Sequence, residues 1–588
     1  MCGILVCHSP SGIDLQTTVV ALDLMKNRGP DGQIFSHEEG GRLFLGQRIL
    51  SISGDFRRNI SAYHQSENGR FVMTYNGEIY NDFDLKRIFL PPGPLKTDSD
   101  SECLVNLFQY LEPEVVFAHL QGMFAFAVFD RFKKKLYLGR DLAGEKPLYY
   151  YKNGAQLIVC SEINPILSLE SNVKINTLSL KRYFYTRHWI TLGSTAFSGI
   201  HEIPPGSLVS FDLKHYEFKT IKSLSLSNLI NPDTYHQFKS LSHSDYLERI
   251  DGQFADNAKN IVHKGDYASV FSGGIDSSLA AWYLKKFRSP KALLYLNFEG
   301  KDPIAPKIRT FEKILQMPIT VLDVNEELYS QYLLSAVKNS AGLMNVHTFI
   351  SQLILAELAA KQGCKVLVGG DGADELWGGY EFYRQLDIPS QKRIQERNPS
   401  LYSGYLHSSI PILNDLEQRE WLNQLEYAWH ESLQAYNWVE SSDQKKLMAM
   451  LLTDSIVEMP EVGLKCTDSM SMVYQVESRS FFVLSPLISL ALSSPIQKRI
   501  DLTQVNPHFR TKTALKSIFA SKFGEDKVFP KQGFSGFPNE AARKLIKGDY
   551  YLTSLLLGRK IPSKIEDREL EWKFLNVELF LRNYQHYL

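Results

Sequence analysis

The chain has 588 residues, of which 44% are hydrophobic and 22% charged, and 65 basic residues balance 65 acidic ones. A net charge of zero provides no electrostatic surface for nucleic acid or for an anionic membrane, so we expect neither as a partner. The length is sufficient for two substantial domains, and the composition is typical of a metabolic enzyme that acts on small molecules.

The six cysteines are scattered along the chain and include no Cys-x-x-Cys pair, as expected for reduced thiols. The most apolar segment, residues 481–492, is interrupted by Ser485, Pro486 and Ser489 and is too short to span a bilayer. The first residues do not combine a basic stretch with an apolar run. These features together predict a cytoplasmic protein.

The first candidate functional residue is Cys2, which follows Met1 directly. Removal of Met1 would leave a thiol and a free α-amine on one residue, which is a nucleophile with its own general base. For an isolated Cys2, a chance residue after the start is the simpler interpretation. Three further segments, described below, favour the nucleophile.

Short β-like runs separated by turns fill the first part of the chain and predict a sheet-rich, layered domain over residues 1–211. The clearest runs are residues 42–45, 71–75, 124–129 and 135–138. Residues 212–240 are polar and rich in Ser and Asn, which predicts a linker.

The pattern changes after the linker and predicts a parallel-sheet α/β domain over residues 241–540. Apolar residues recur at helical spacing over 246–261, and residues 267–271 and 365–368 are typical of buried strands. Beyond about residue 385 the pattern is mostly helical, and residues 541–588 form a tail without a recognisable motif.

A glycine turn follows the strand at 267–271 and precedes a helix-like segment at 279–284. Backbone N–H groups and hydroxyls in such a turn can bind a phosphate at the helix N-terminus. The candidate residues for ATP are Ser272, Gly273, Gly274, Asp276, Ser277 and Ser278. The turn lacks the Gly-Lys-Ser/Thr of a Walker A loop. A capped Gly-Gly turn without a ligand is the alternative, and the acidic loop that follows disfavours it.

The second loop, residues 366–380, places carboxylates among glycines directly after a strand. Mg²⁺ is commonly bound by one or two carboxylates together with phosphate oxygens. We therefore expect Asp276, Asp371 and Asp374 to hold Mg²⁺ and Gly370 to contact the nucleotide. The alternative is an ordinary acidic turn. The glycine turn at 272–278 disfavours this alternative.

Further segments occur in an order that resembles the glutamine-hydrolysing asparagine synthetase family. They are residues 28–32, 47–52, 75–81, 99–102, 121–126, 139–141, 468–472, 477–479, Lys512 and 531–534. The resemblance implies a class II glutaminase domain with the αββα sandwich of N-terminal nucleophile enzymes. A pyrophosphate-loop synthetase domain follows, with a parallel α/β sheet and a helical C-terminal part.

The resemblance also implies roles for residues of a glutamine site. Cys2 would attack the side-chain amide, and Arg48 would clamp the α-carboxylate of glutamine bidentately. Glu78 and Asp100 would hold the α-amino group. Taken singly, Arg48 and Asp100 would more often be surface or ion-pair residues, and the ordered set of motifs favours the functional interpretation.

Three further residues would stabilise charge that develops during reaction, again by resemblance. Asn76 and the N–H of Gly77 would form the oxyanion hole of the glutaminase. Lys531 would stabilise the transition state of adenylation or amide formation in the second domain. A lone lysine before Gly-Phe would otherwise be interpreted as a surface residue.

The chain departs from the family pattern around the expected acceptor-carboxylate pocket. Residues 481–484 read Phe-Phe-Val-Leu where the family usually has Pro-Phe-Leu-Asp, and residues 342–347 lack an Asp-x-Pro. Asp371 stands where asparagine synthetases tend to have Glu. These departures leave the identity of the acceptor open.

The implied reaction uses glutamine, ATP and Mg²⁺ to convert aspartate into asparagine through an acyl-adenylate. The alternative is amidation of another carboxylate, such as a sugar uronic acid or a specialised-metabolite intermediate. A β-lactam-forming or peptide-cyclising relative would need no glutaminase, and an inactive descendant would be expected to lack Cys2, Asp276 or Asp374. The assembly is left open, with a homodimer as one option.

Overall fold

The computed structural model describes residues 2–52, 64–93, 95–97, 99–184, 193–263, 265–298, 304–340, 342–344, 348–380, 383, 412, 415–528, 538–547, 549–563 and 565–588. The chain divides into two compact units. The first comprises Met1–Ile175, Leu192–Ser225 and Met472–Glu477, and the second comprises Asn176–Thr191, Leu226–Ser471 and Ser478–Leu588.

The first unit contains eleven described strands and five described helices. The strands are β1 Cys2–His8, β2 Gly32–Glu38, β3 Leu43–Ile49, β4 Phe71–Ile79, β5 Gly122–Asp130, β6 Lys135–Arg140, β7 Tyr149–Asn153, β8 Gln156–Cys160, β9 Ile200–Glu202, β10 Ser207–Asp212 and β11 Phe218–Ser223. The helices are α1 Leu15–Asp23, α2 Asp82–Phe89, α3 Asp100–Leu107, α4 Pro113–His119 and α5 Ile163–Leu169.

Two antiparallel sheets form the centre of this unit. Their strand orders are β2-β3-β1-β8-β7-β9 and β11-β10-β6-β5-β4. Ile4 and Leu45 of the first sheet share a buried cluster with Ala127 and Phe129 of the second, so the sheets pack face to face.

Helices cover the outer faces of both sheets. Leu104 of α3 and Phe117 of α4 pack with Phe126 on the far side of the second sheet. Gly46 of β3 lies against Leu22 of α1, which places α1 on the outside of the first sheet. The layers therefore run helix, sheet, sheet, helix, and the predicted αββα sandwich is confirmed.

The buried His64 gives this unit a pH-dependent stability. Burial lowers the pKa of His64 from 6.5 to about 4. The unfolded chain therefore binds a proton more readily than the folded chain, and stability falls as the pH drops from 6.5 towards 4. We expect a loss of about 3 kcal/mol across that window, at 1.36 kcal/mol per pKa unit.

The measurement is urea denaturation of the wild type and of His64→Gln at pH 7 and pH 4. The difference in the free energy of unfolding between the two proteins should change by that amount, because glutamine does not titrate. Parallel pH profiles for the two proteins would contradict the prediction.

The second unit contains a five-stranded sheet and many helices. Its strands are β12 Tyr267–Val270, β13 Ala292–Phe298, β14 Ile319–Val324, β15 Val366–Gly369 and β16 Glu477–Ser480. Its helices are α6 Thr177–Tyr183, α7 Pro232–Ser240, α8 His243–Ile261, α9 Ile275–Phe287, α10 Ile308–Leu315, α11 Glu326–Asn339, α12 Thr348–Lys361, α13 Ala373–Trp377, α14 Asp415–Ala435, α15 Ser442–Glu458, α16 Lys465–Val473, α17 Ser485–Leu492, α18 Ile496–Arg499, α19 Thr513–Phe523, α20 Pro538–Ile546, α21 Tyr551–Leu557 and α22 Arg568–Asn583.

The strand order of this sheet is β14-β13-β12-β15-β16, and the β14–β13, β13–β12 and β12–β15 pairs are parallel. Six of the seven residues of β13 are buried, as expected for a parallel strand covered on both faces. The predicted parallel α/β domain is confirmed. Among the described residues, no helix combines the length and apolar composition required to cross a bilayer.

The domain limits proposed from the sequence stay predictions, but the predicted linker contains a strand, a short 3-10 helix at Leu226–Leu229 and an α-helix. Among the described strands, β11 pairs only with β10, and a sheet-edge strand can carry polar residues because one side meets solvent. Asn231 is the N-cap of helix α7, its side chain accepts the N–H of Thr234, and Pro232 follows at the first helical position. The same Asn-Pro pair also fits a turn, which explains the linker interpretation.

The predicted tail also contains regular structure, because α20 ends and α21 and α22 lie within it. Helix α22 is buried along most of its length, including the polar residues Glu571, Lys573 and Glu578. Glu578 accepts the backbone N–H of Thr553 at 2.8 Å, and Arg543 pairs with Glu571 at 2.6 Å. These partners explain how a charged sequence can form a buried helix.

Candidate functional site

Cys2 begins β1 and is 8% exposed, and its backbone N–H donates to Asn76 Oδ1 at 2.8 Å. If Met1 is removed, this nitrogen becomes the α-amine, so Asn76 would orient the group predicted to act as base. Asn76 is fully buried, and its Nδ2 has no hydrogen-bond partner among the described residues. Since Oδ1 and Nδ2 belong to one amide, this spare donor lies close to Cys2.

Arg28 fixes the main chain of the candidate nucleophile, a role that the sequence analysis missed. Its Nε donates to the carbonyl of Cys2 at 3.2 Å, and its Nη1 pairs with Glu162 at 3.4 Å. The Arg28 side chain is 1% exposed. A buried arginine needs such acceptors, so its place in the 28–32 motif was the only signal in the sequence.

Gly77 occupies a position that only glycine can fill. Its φ is +153°, and a Cβ at this position would collide with the carbonyl oxygen of Met123 on the paired strand β5. Any residue with a Cβ would clash where the two backbones approach each other so closely. This close approach therefore fixes the main chain next to Asn76. A fixed main chain is what the predicted oxyanion donor, the N–H of Gly77, requires.

Arg48 lies on β3 opposite Gly3 of β1 and is 7% exposed. Its Nε donates to the carbonyl of Gly29 at 3.0 Å, and its Nη1 contacts Asp23 at 3.2 Å and Gln33 at 3.1 Å. These contacts orient the guanidinium next to the strand that carries Cys2. The bidentate clamp on a glutamine carboxylate stays a prediction.

Two buried carboxylates, Glu78 and Asp100, lie near the hydroxyl of Tyr75. Asp100 Oδ2 accepts that hydroxyl at 2.6 Å and the N–H of Ile79 at 2.9 Å. Burial raises the pKa of Tyr75, and the charges of Asp100 and Glu78 act in the same direction. Two negative charges that both act on one buried hydroxyl favour a cation nearby, as the predicted binding of an α-amino group requires. Tyr75 itself was not identified from the sequence.

Replacement of Asn76 by alanine should lower kcat for glutamate release by about 100- to 1,000-fold, the effect of removing one oxyanion donor. KM should change little, because the predicted glutamine ligands are retained. A steady-state assay of glutamate release measures both constants. The matched control is Asn106→Ala, since Asn106 is also buried but donates to Glu102 O on α3. Equal losses in both variants would contradict an oxyanion role.

In the second unit, the glycine turn lies between β12 and α9, as predicted. Ser277 Oγ accepts the N–H of Ser272 at 3.0 Å, and it lies 2.9 Å from Ser272 Oγ. Gly273 has a φ of +70°, and a Cβ there would collide with Ile304. The turn therefore has a fixed backbone conformation at the N-terminus of a 13-residue helix, where the helix dipole stabilises an anion.

Ser278 and Gly370 extend this candidate phosphate site. Ser278 Oγ is fully buried and has no hydrogen-bond partner among the described residues. Gly370 lies against the first turn of α9, because a Cβ there would be 3.1 Å from Asp276 Cβ and 3.3 Å from Ser277 N. Strands β12 and β15 are parallel neighbours, so their carboxyl ends bring both loops to one edge of the sheet.

Asp276 and Asp374 converge on the ammonium group of Lys512. The Lys512 Nζ lies 2.5 Å from Asp276 Oδ2 and 2.6 Å from Asp374 Oδ1. Burial by itself would lower the pKa of Lys512, but the charges of both aspartates raise it above its usual value. Lys512 belongs to one of the sequence motifs, but its role could not be predicted because its partners lie far away in the chain.

Asp276, Asp371 and Asp374 stay the predicted ligands of Mg²⁺. No group of three His, Cys, Asp or Glu side chains among the described residues could hold a metal ion. Burial raises the pKa of Asp371 to about 6, with Asp374 and Asp276 adding to the effect. Asp276 and Asp374 share the ammonium group of Lys512. Two carboxylates are sufficient for a Mg²⁺ ion that also binds phosphate oxygens.

The segment at 481–484, which departs from the family pattern, is buried in the second unit. Phe481 and Phe482 pack edge to face with Phe254. A Cβ at Gly372 would lie 2.7 Å from Val483 Cγ2, so Val483 contacts the acidic loop. Leu484, where the family usually has aspartate, is the N-cap of α17 and makes no side-chain cap hydrogen bond. That departure therefore also removes a helix cap.

Two further predicted positions lie outside the described residues. They are Lys531 and the 345–347 part of the segment that lacks Asp-x-Pro. The described candidate site therefore consists of two separate groups of residues, one in each unit. The first surrounds Cys2 and Asn76, and the second surrounds Lys512 at the edge of the parallel sheet.

Comparison with protein families gives two matches. A glutamine amidotransferase domain matches residues 1–221, and asparagine synthase matches residues 254–550. The second match covers slightly more than half of the 588 residues.

Individual relatives are similar at low identity. A putative glutamine-hydrolysing asparagine synthetase of Methanocaldococcus jannaschii is 24% identical over 83% of this chain and 76% of its own. A glutamine-hydrolysing asparagine synthetase of Bacillus subtilis is 26% identical over 64% of this chain and 57% of its own. The amidase chry2 of Gibberella zeae is 26% identical over 62% of this chain and 55% of its own. In the last two, the match spans less than two thirds of the relative's length.

Proposed function

The chain belongs to the asparagine synthase family, and we propose that it transfers the amide nitrogen of glutamine to a carboxylate at the expense of ATP. The observation that carries this proposal is the presence of two chemically distinct sites in one chain. Cys2 is held by Asn76 in the first unit, and a phosphate-type loop faces a carboxylate pair in the second.

In the first half of the proposed reaction, the Cys2 thiol attacks the side-chain amide of glutamine. The α-amine, oriented by Asn76 Oδ1, accepts the thiol proton and passes it to the leaving ammonia. Asn76 Nδ2 is the available donor for the oxyanion, since it is buried beside Cys2. Water then releases glutamate from the thioester.

In the second half, ATP activates the acceptor carboxylate as an acyl-adenylate, with loss of pyrophosphate. The N-terminus of α9 and the Ser272–Ser278 turn would hold the phosphates, and the orphan hydroxyl of Ser278 supports this assignment. Asp276 and Asp374 would hold Mg²⁺, which neutralises phosphate charge. Attack by ammonia on the acyl-adenylate gives the amide and AMP.

Aspartate is the proposed acceptor, which makes asparagine the product. One observation favours the second candidate, another carboxylic acid. Leu484, which is 7% exposed, stands where the family usually has aspartate, so an apolar side chain replaces a charged one at the end of this segment. An apolar group is better suited than a charge to contact an apolar part of an acceptor.

The test is pyrophosphate release from ATP with Mg²⁺ and glutamine, comparing aspartate with sugar uronic acids and other carboxylates. Glutamine labelled with ¹⁵N at the side-chain amide identifies the product by mass. Labelled asparagine in a one-to-one ratio with pyrophosphate supports aspartate, and a labelled amide of a different acid supports the second candidate. Absence of pyrophosphate and of any labelled amide with every acid would refute the proposed function.

A further inference from the structure

The Lys512 ammonium lies between two carboxylates that the proposed function assigns to a metal ion. Its distances to Asp276 Oδ2 and Asp374 Oδ1 are 2.5 and 2.6 Å. The lysine side chain is 5% exposed, whereas the two aspartates are 25% and 23% exposed. A full positive charge is thus buried at the point where both carboxylates converge.

The backbone of Lys512 is held in an unusual conformation to reach this point. Its φ of +50° and ψ of +38° are left-handed, which residues with a Cβ rarely adopt. The N–H of Lys512 donates to the carbonyl of Trp377 at 3.2 Å, and its carbonyl accepts Lys516 N–H at 2.8 Å. Strained positions persist when the surrounding structure imposes them, often at functional sites.

A metal ion bound to Asp276 and Asp374 would compete with the ammonium of Lys512 for the same two oxygens. A Cβ at Gly379 would collide with both Asp374 Oδ1 and Lys512 Cε, so the backbone at 379 closes one side. A Mg²⁺ ion lies about 2.0 to 2.1 Å from its oxygen ligands. A metal ion bound to the same two oxygens would therefore lie within a few ångströms of Nζ and be repelled by it.

On the basis of the proposed function, we propose that the Lys512 ammonium is a resident counter-ion that occupies the metal position in the nucleotide-free protein. The ammonium leaves this position when the metal ion and ATP bind together. The four-carbon stem allows the ammonium to move, and the phosphates at the N-terminus of α9 are its new partners. Metal alone binds weakly, because it must displace the lysine without compensation. Metal with nucleotide binds well, because the displaced charge pairs with phosphate.

The test is Mn²⁺ binding without nucleotide, measured by the electron paramagnetic resonance signal of free Mn²⁺. Lys512→Met should bind Mn²⁺ at least ten times more tightly than the wild type, because two carboxylates lose their counter-ion. The matched control is Lys522→Met, which removes a lysine of α19 from its ion pair with Asp251. The control should bind Mn²⁺ as the wild type does. Unchanged affinity in Lys512→Met, or an equal gain in Lys522→Met, would overturn the proposal.

A second measurement uses the wild type alone and so does not depend on the folding of a variant. With the non-hydrolysable analogue α,β-methylene-ATP present, the protein should bind Mn²⁺ at least ten times more tightly than the analogue binds Mn²⁺ by itself. No such gain would overturn the proposal. Neither measurement involves an acceptor or turnover, so a failure of the proposed amide-forming activity is seen separately in the pyrophosphate assay.

Discussion

Replacement of Cys2 by alanine should reduce the release of glutamate from glutamine by at least about 1,000-fold, because no other group can form the thioester. Pyrophosphate release with ammonium as the nitrogen source should persist, since the second unit retains its residues. The contrast between the two nitrogen donors is the expected signature of a glutaminase coupled to an ammonia-using synthetase.

Cys7→Ala is the matched control for this experiment. Cys7 lies on the same strand and is also buried, and burial raises the pKa of its thiol. It therefore stays protonated and should be dispensable for glutamate release, apart from a small loss of stability. Glutamate release that survives in Cys2→Ala, or that is lost equally in Cys7→Ala, would exclude Cys2 as the nucleophile.

The second large effect is expected in the parallel-sheet unit. Asp276→Asn and Asp374→Asn should each lower pyrophosphate release by at least about 100-fold, because each removes one of the two charges that would hold the metal. Each change also leaves Lys512 with a single charged partner. Glutamate release should be much less affected, since Cys2 and Asn76 belong to the other unit.

Asp251→Asn tests whether the loss is specific to this pair of carboxylates. Asp251 also pairs with a lysine of α19, Lys522 at 2.7 Å, but it takes no part in the candidate metal site. Its replacement should retain most of the pyrophosphate release. The predicted metal role is wrong if all three variants lose activity to the same extent, or if Asp276→Asn and Asp374→Asn remain active.

Much of the fold could be predicted because its strands have clear local patterns. The apolar runs at 124–129 and 135–138 lie within β5 and β6, and the helical spacing over 246–261 lies within α8. The polar edge strand β11 lies within the segment interpreted as a linker, because exposure at a sheet edge removes the apolar signal. Helix α22 was overlooked because its buried charges are satisfied by distant partners such as Thr553.

The candidate site likewise has parts that could be predicted from local sequence and parts that could not. The Ser272–Ser278 turn could be identified because strand, glycines and helix are contiguous in sequence. The metal ligands stay a prediction: Asp276 and Asp374 converge on Lys512, and no group of three ligands is found among the described residues. Composition and spacing do not specify how far apart three carboxylates lie once the loops are folded.

The sequence by itself determined which chemical groups are available: a cysteine after Met1, a glycine turn before a helix, and carboxylates after a strand. Only the tertiary structure decided that Asn76 binds the nitrogen of Cys2 across 74 residues, and that Lys512 reaches Asp276 across 236. Local periodicity encodes strands and helices, because each repeats over a few residues. Partners at such separations depend on sheet order and register, which arise when the whole chain packs.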